Sequence, residues 1–325
     1  MSKMKNAIIL INKLSDNPSD DEKDVLHQAE QVEFALNFYG YSTIRLFMGL
    51  NLEETRDIIL KTNPHLVFNL VEGLSGKANL IHLSPALLES MHVPFTGCKL
   101  DSMFITSNKI LTKKILNLNK IKTPDFFSGK DCFELDPLKT YIAKPLWEDA
   151  SVGITDNSIF RGNNLKVLND SKERWKDAFF IEEYIEGREF NVSILGGESG
   201  PEVMPLAEIL FNDFPEGKPK IVGYAAKWDK DTFEYLNTIR TFEYNNSDDI
   251  LRDNISEMAL RCWNIFALSG YARVDFRVDK NNVPYILEIN SNPCLDKEAG
   301  FYAACANAGL SFNDVINRII YDAYQ

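Results

Sequence analysis

Gly270-Tyr-Ala-Arg273-Val-Asp275-Phe-Arg277-Val-Asp279, followed after a polar turn by Tyr285-Ile-Leu-Glu288-Ile-Asn290-Ser-Asn-Pro293, is the stretch that decides how the rest of the chain is read. Both halves alternate polar and apolar residues. Strand periodicity puts Arg273, Asp275 and Arg277 on one face, with Ala272, Val274, Phe276 and Val278 on the other. In the second run Glu288 and Asn290 share a face. With Asp279-Lys-Asn-Asn282 as the connection, the runs pair as an antiparallel hairpin, and Asp275 comes within cross-strand reach of Glu288 and Asn290. Two carboxylates and an amide oxygen on a rigid hairpin suit magnesium held through a nucleotide, its shell completed by water and phosphate oxygens. Taken alone, the same pattern also fits an exposed hairpin whose polar face is merely solvated.

Other segments point to the same chemistry. Tyr141-Ile-Ala-Lys144-Pro145 is a short β-type run ending in a lysine, and the loop after it leads through Ser151-Val-Gly153. A strand-end lysine beside such a loop places a point charge on phosphate while loop N–H groups cover it. There is no GxxxxGK[ST] loop, and in isolation Lys144 reads as a surface lysine. Further on, Phe179-Phe-Ile-Glu182-Glu183-Tyr184-Ile185-Glu186-Gly187-Arg188-Glu189 leads into a second β-rich run. This hinge offers backbone groups to a purine edge and a carboxylate to a ribose hydroxyl, although two strands joined by an acidic turn account for it equally.

The order of these pieces carries the argument. A lysine opening a helix in Ser107-Asn-Lys109-Ile-Leu-Thr-Lys, the strand lysine with its loop, the Glu-Glu-Tyr-Ile-x-Gly-Arg-Glu hinge and the final hairpin together resemble the ATP-grasp superfamily. Within it the chain is most similar to the D-alanine:D-alanine ligase family. The resemblance extends over nearly the whole length through Phe68-Asn69-Leu-Val-Glu72-Gly73, Val93-Pro-Phe-Thr-Gly97 and Ile121-Lys-Thr-Pro124. It implies an α/β ATP-grasp fold: an N-terminal parallel βαβ domain over 1–102, a central lobe over 103–183, and a C-terminal α+β lobe over 184–325 that carries the metal hairpin. The nucleotide lies between the last two.

The activity so implied is ATP- and magnesium-dependent ligation of a carboxylate to an amine, forming ADP and passing through an acyl phosphate, with manganese as an alternative metal. Lys109 and Lys144 contact the nucleotide phosphates, joined by Lys227. Glu183, Tyr184 and Ile185 line the adenine pocket, Glu189 holds the ribose, and Glu182, Phe276 and Leu287 complete the nucleotide-binding set. Asp275, Glu288 and Asn290 hold the metal. The loop Glu148 to Gly153, with Ser151, closes over the γ-phosphate, and Arg273 stabilises the tetrahedral oxyanion. The family also implies a homodimer, by analogy alone.

Departures from the family pattern fall on the substrate side. The family's Gly-Ser-Ser-Val-Gly loop reads Asp149-Ala150-Ser151-Val152-Gly153 here, its lysine-tyrosine pair reads Lys227-Trp228, and the glycine after the final proline is Cys294. The serine that grips the acceptor carboxylate has no clear counterpart in Asp296-Lys-Glu-Ala299-Gly300. Asn12-Lys-Leu-Ser-Asp replaces the N-terminal Gly-Gly and activating glutamate. We therefore expect a ligase for a pair other than D-alanine with D-alanine. Three alternatives stand beside it: D-alanine:D-alanine ligase itself, a ligase extending a peptide or protein terminus, and a nucleotide-binding regulatory protein without turnover. Cys294 has no histidine near it in sequence and reads as a packed thiol lining the substrate pocket.

Composition agrees with a multidomain enzyme. The chain has 325 residues, more than one core usually supports, and is 45% hydrophobic and 25% charged. A formal charge of −12 argues against a nucleic-acid backbone as partner, and the expected partners are small-molecule acids and amines. No apolar run approaches a membrane span and no cleaved leader is evident, so we expect no membrane association and a cytoplasmic protein. Five scattered cysteines without C-x-x-C spacing imply neither a disulfide framework nor a zinc site. The expected elements are strands over 7–11, 43–47 and 65–70, helices from Val25 to Tyr39, from Asn51, and from Leu80 to Met91, and late helices over 250–268 and 313–324.

Overall fold

The computed structural model describes residues 5–129, 135–148, 151–176 and 178–325. The apolar run after the N-terminus forms β1 (Lys5–Asn12), the centre of a parallel sheet ordered β2-β1-β3 with β2 (Tyr41–Met48) and β3 (Leu66–Asn69). A central parallel strand is covered on both sides, which is why Ala7 through Ile11 are all fully buried. Ala7, Ile9 and Ile11 pack against α1 (Asp20–Phe38), while Ile8 and Leu10 face α2 (Leu52–Thr62) and α3 (Leu83–Ser90). Gly40, at φ +80°, turns the chain just past α1, and Asn51 caps α2 by accepting from the Glu54 N–H. The expected helix over 80–91 splits into a 3₁₀ turn and α3. Pro85 lacks an N–H and is tolerated only in a first turn, so the helix starts just ahead of it.

The chain then passes through α4 (Leu100–Ser107) and α5 (Lys109–Leu118) into an antiparallel sheet ordered β4-β7-β5-β6, built from β4 (Phe126–Ser128), β5 (Thr140–Pro145), β6 (Ile159–Arg161) and β7 (Phe179–Glu183). Helix α6 (Leu165–Trp175) lies over one side. The third sheet is also antiparallel, ordered β11-β10-β8-β12-β13 with β9 pairing β8. Its strands are β8 (Gly187–Leu195), β9 (Glu202–Val203), β10 (Ala207–Phe211), β11 (Thr238–Thr241), β12 (Tyr271–Asp279) and β13 (Pro284–Asn290). Between them run α7 (Tyr224–Trp228), α8 (Phe233–Asn237) and α9 (Asp249–Ile265), and α10 (Gly300–Asn307) and α11 (Phe312–Asp322) follow.

Helix α9 covers the apolar face of the third sheet, setting Ile255, Ala259 and Cys262 against Phe190, Val274 and Phe276. The opposite, polar face is left for function. Phe301 of α10 and Val315, Ile316 and Ile319 of α11 share a core with Val25, Val32 and Leu36 of α1. The first and last parts of the chain are therefore packed directly on one another.

The β12–β13 hairpin contains a device that strict alternation does not show. Asp275 pairs with Glu288, but the register then shifts so that Phe276 pairs with Ile286. Ile286 and Ile289 are three residues apart, yet both belong to the buried core. The extra residue, Leu287, absorbs the odd step as a β-bulge, so Ile286 turns into the core and Leu287 toward the polar side.

Gly187 begins β8 at φ +151°, and a Cβ there would lie 1.9 Å from the Val278 carbonyl oxygen. Gly187→Ala should therefore lower stability by about 1–3 kcal/mol, the scale for a residue forced into a backbone region open essentially to glycine. Urea unfolding measures this, and an unchanged midpoint would contradict the packing described for β8 on β12.

Candidate active site

Residues directly opposite in an antiparallel sheet share a face. One row across the polar face of the third sheet is Arg240, Ile209, Glu189 and Arg277; the next is Ala207, Asn191, Asp275 and Glu288; a third holds Ser193, Arg273 and Asn290. Arg277 is 3% exposed, with Nη2 2.9 Å from Glu189 Oε2 and Nη1 donating to the Gly187 carbonyl at 3.0 Å. It also donates to the Lys220 carbonyl. Arg273 forks onto Asp275, with Nε to Oδ1 and Nη2 to Oδ2 both at 2.8 Å, and Asn191 adds an amide donor to Oδ1 at 2.9 Å.

The second sheet and α5 face this row with lysines. Asn108 caps α5 by accepting from the Leu111 N–H at 3.0 Å, so Lys109 opens the helix as expected. Lys109 and Lys113 are one turn apart on one face, and both are buried. Lys109 Nζ donates to the Glu148 carbonyl at 2.7 Å and stands 3.9 Å from Glu288 Oε2. Lys113 Nζ reaches Glu182 Oε2 at 2.6 Å and Thr123 Oγ1 at 2.8 Å, while Lys144 Nζ takes Glu182 Oε1 at 2.6 Å.

Burial works to raise the pKa of Glu182, but Lys113 and then Lys144 outweigh it and hold the carboxyl below its ordinary value. Burial lowers the pKa of Lys113, an effect that Glu182 only partly offsets. At Glu288 burial again opposes ionisation and is overcome by Lys109, Lys144, Lys227 and Arg273, which bring the pKa down to about 2. Lys227 on α7 has its pKa lowered by burial and then by Arg273, with Glu288, Asp275 and Glu189 opposing. The site therefore gathers more cationic groups than carboxylates, in a chain whose formal charge is −12.

The residues expected from sequence fall into three groups. Lys109, Lys144, Lys227, Arg273, Asp275, Glu288 and Asn290 converge on the facing sides of the second and third sheets. Glu183, Tyr184 and Ile185 form the hinge between those sheets: the Glu183 and Tyr184 N–H groups donate to the Asp125 and Thr140 carbonyls at 2.8 and 2.9 Å, Glu183 pairs with Lys139 at 2.7 Å, and Ile185 is half-buried. The bulge brings Leu287 to the same side. Glu189 lies in the site, with Oε2 engaged by Arg277.

The remaining residues require correction. The Glu182 carboxylate is buried and held between Lys113 and Lys144 at 2.6 Å, so its oxygens are engaged by the protein itself and not turned to the hinge. Phe276 is fully buried in the core under α9, because alternation sends it to the face opposite Asp275. Ser151, at φ +62°, gives its hydroxyl to the Val222 carbonyl at 2.7 Å, which ties its loop to the segment entering α7. Residues 149 and 150 of that loop, and Cys132, lie outside the described residues.

Cys294 donates to Asp24 Oδ2 at 2.9 Å, and burial followed by the Asp24 and Glu72 charges pushes its pKa well up, so it is a packed thiol and not a nucleophile. Sequence reasoning missed Lys113, Asn191, Arg240 and the clamping role of Arg277. Lys113 left a signal: a second lysine at i+4 from Lys109 on the same helix face.

Asp275 and Glu288 are like charges directly opposite across two strands, an arrangement that is destabilising unless cations are shared between them. Asn290 stands in the adjoining row, its Oδ1 accepting from the Asn292 N–H at 2.8 Å. Two carboxylates and an amide oxygen are a fitting donor set for magnesium completed by phosphate and water oxygens. Among the described residues no three His, Cys, Asp or Glu side chains gather as a metal cage, and no helix is long and apolar enough to cross a membrane.

Comparison with known proteins follows the same lines. Residues 139–321 match the family model described as D-ala D-ala ligase C-terminus. The D-alanine–D-alanine ligase of Carboxydothermus hydrogenoformans is 30% identical over 319 residues, covering 93% of this chain and 94% of the relative. An uncharacterized protein of Sinorhizobium fredii, y4sG, is 28% identical over 307 residues, covering 91% and 87%. Among solved structures, the D-alanine–D-alanine ligase of Bacillus anthracis complexed with ATP superposes with TM-score 0.72 at 20% identity, covering 98% of this chain and 97% of that one. D-alanyl-alanine synthetase A of Vibrio cholerae gives 0.74 at 15%, with both chains fully covered. At these identities the structural likeness establishes the ATP-grasp fold.

Glu182 supplies a test in which the sign is fixed. Its folded pKa lies below the unfolded value of roughly 4.3, so its stabilisation is present above that pH and is lost as pH falls through the folded value. Glu182→Gln strands buried lysine charge and should cost about 3–5 kcal/mol at pH 7. In urea titrations the gap between wild type and variant should narrow toward pH 3. A gap of the same size at both pH values would contradict the ionised pairing.

Proposed function

The chain belongs to the D-alanine–D-alanine ligase family, and from that premise we propose how its own residues perform ATP-dependent ligation and for which kind of substrate. It is an ADP-forming carbon–nitrogen ligase that uses ATP and magnesium. The observation that carries the residue assignments is the gathering of buried Lys109 and Lys113 with half-buried Lys144, Lys227 and Arg273 around the Asp275–Glu288 pair. A carboxylate is a poor electrophile until one of its oxygens carries a phosphoryl group, and charge builds on the transferring oxygens as that happens.

Lys109 and Lys144 bind and orient the phosphates, with Glu182 and Lys113 fixing where Lys144 points. Asp275, Glu288 and Asn290 hold magnesium, which when bound neutralises phosphate charge. The hinge at Glu183 to Ile185, with Leu287, receives the adenine, and Glu189, oriented by Arg277, receives the ribose. The loop tied down by Ser151 excludes water from the acyl phosphate. As the amine attacks, Arg273 faces the developing tetrahedral oxyanion, and phosphate departs with the acyl oxygen that it had bonded.

We further propose that the acid–amine pair is not D-alanine with D-alanine. Trp228 stands beside Lys227, Cys294 fills its position with a thiol turned to Asp24, and Ala299 at the start of α10 has no hydroxyl to cap or grip. Those changes alter both volume and hydrogen-bonding groups where substrates are discriminated. D-alanine:D-alanine ligase itself is the competing reading, favoured by the names of the relatives.

The deciding experiment is ADP release by the purified protein over acids and amines taken in pairs. Little ADP is expected with D-alanine alone and clear turnover with a larger or differently charged pair. In that assay Asp275→Asn and Glu288→Gln should each lower turnover by roughly two orders of magnitude while remaining folded. Efficient synthesis of D-alanyl-D-alanine would restore the competing reading, and near wild-type turnover in both variants would remove the metal assignment.

A further inference from the structure

Arg240 is the one arginine in the polar-face rows of the third sheet that the mechanism leaves without a role. Register fixes its side: Arg240 pairs with Ile209, Ile209 with Glu189, and Glu189 with Arg277, so it lies in the same row as the ribose carboxylate, at the edge strand β11. Arg277 in that row is neutralised by Glu189, and Arg273 is forked onto Asp275. No hydrogen bond or ion pair engages Arg240 among the described residues. The charge that bears on it is a like one: burial and then Arg273 lower its pKa. An arginine that feels a second positive charge and has no carboxylate of its own among the described residues is electrostatically unfavourable, and a bound anion reverses the sign of that interaction.

The packing also leaves its donors available. A Cβ on Gly300 would lie 3.5 Å from Nη2 and 3.8 Å from both Cζ and Nε of Arg240. Three guanidinium atoms at nearly equal distance mean that the flat face of the group lies against Gly300. Its N–H edge, the part that recognises a planar carboxylate through two parallel hydrogen bonds, is not consumed by that contact. Arg273 has already committed Nε and Nη2 to Asp275, so the two arginines offer different things: Arg273 is held rigidly at the reacting centre, and Arg240 stands open at its margin.

We propose that Arg240 selects the amine substrate by gripping a carboxylate that the amine carries, and is thus a specificity-determining residue of this site. The inference rests on the ligase reading above for the word amine. Its geometry, a guanidinium on the site face with its flat side against Gly300, stands independently. A substrate whose carboxylate is masked as an amide presents a donor where Arg240 needs an acceptor, and a donor facing another donor disfavours the amide.

The test is calorimetric binding to the full chain loaded with magnesium and ADP, using alanine, glutamate and glycylglycine, the first two in both hands, each against its C-terminal amide. The expected result is at least one acid bound tenfold or more tightly than its amide. In Arg240→Ala the dissociation constant of that acid should rise to that of the amide, while ATP affinity stays within twofold of wild type, and Arg240→Lys should keep part of the preference. Arg240 is solvent-exposed in part, so these variants are expected to fold. The proposal is overturned if every acid binds no tighter than its amide, or if Arg240→Ala keeps the preference. A wrong ligase reading shows itself separately, as absence of ADP release with the binding preference intact.

Discussion

The carboxylate of Glu182, 1% exposed and held at 2.6 Å by both Lys113 and Lys144, is the constraint on which the site depends. Neither lysine could be kept charged at such depth alone, since burying an unpaired ammonium costs several kcal/mol even after relaxation. One carboxylate shared by two lysines joins helix α5 to strands β5 and β7. It fixes the end of β5 that presents Lys144, and it leaves a surplus positive charge facing the third sheet. Two cations for one anion is incomplete pairing, and on the function proposed above a phosphate supplies the missing negative charge.

The third sheet answers with the opposite arrangement. Asp275 and Glu288 face each other across β12 and β13, stabilised by Arg273 and, at 3.9 Å, by Lys109. The two sheets are thus electrostatically coupled across the space between them, and the depressed pKa of Glu288 reflects charges from both sides. Because the interior is less polarisable than water, these interactions are stronger there than the same charges would be on the surface. A ligand carrying phosphates and magnesium satisfies both halves at once, which relates the fold's two-sided architecture to an ATP-dependent activity.

Much of this was legible in the sequence because alternation and order are local. Asp275, Glu288 and the polar hairpin followed from period two, and Lys109 and Lys144 from the family resemblance that their places at a helix start and a strand end help to carry. The rest depended on pairings between strands distant in sequence. Glu182 looked like hinge lining until β7 was set beside β5, which brings its side chain to Lys144. Arg240 and Asn191 acquire meaning only from the register across β11, β10, β8 and β12. The bulge at Leu287 reverses the side that period two assigns to Ile286, because two core isoleucines three apart cannot both be buried in a regular strand. Phe276 was assigned to the pocket on family resemblance, against the alternation that already pointed it to the core.

The central claim is that the buried cations and the Asp275–Glu288 pair serve phosphoryl transfer to a carboxylate. The most direct measurement is the fate of ¹⁸O from a labelled carboxylate substrate, using the acid–amine pair that supports ADP release. The account predicts that one labelled oxygen appears in inorganic phosphate for each amide formed, because the acyl oxygen leaves with the phosphoryl group. Label appearing in AMP, or unlabelled phosphate released alongside the amide, would contradict it.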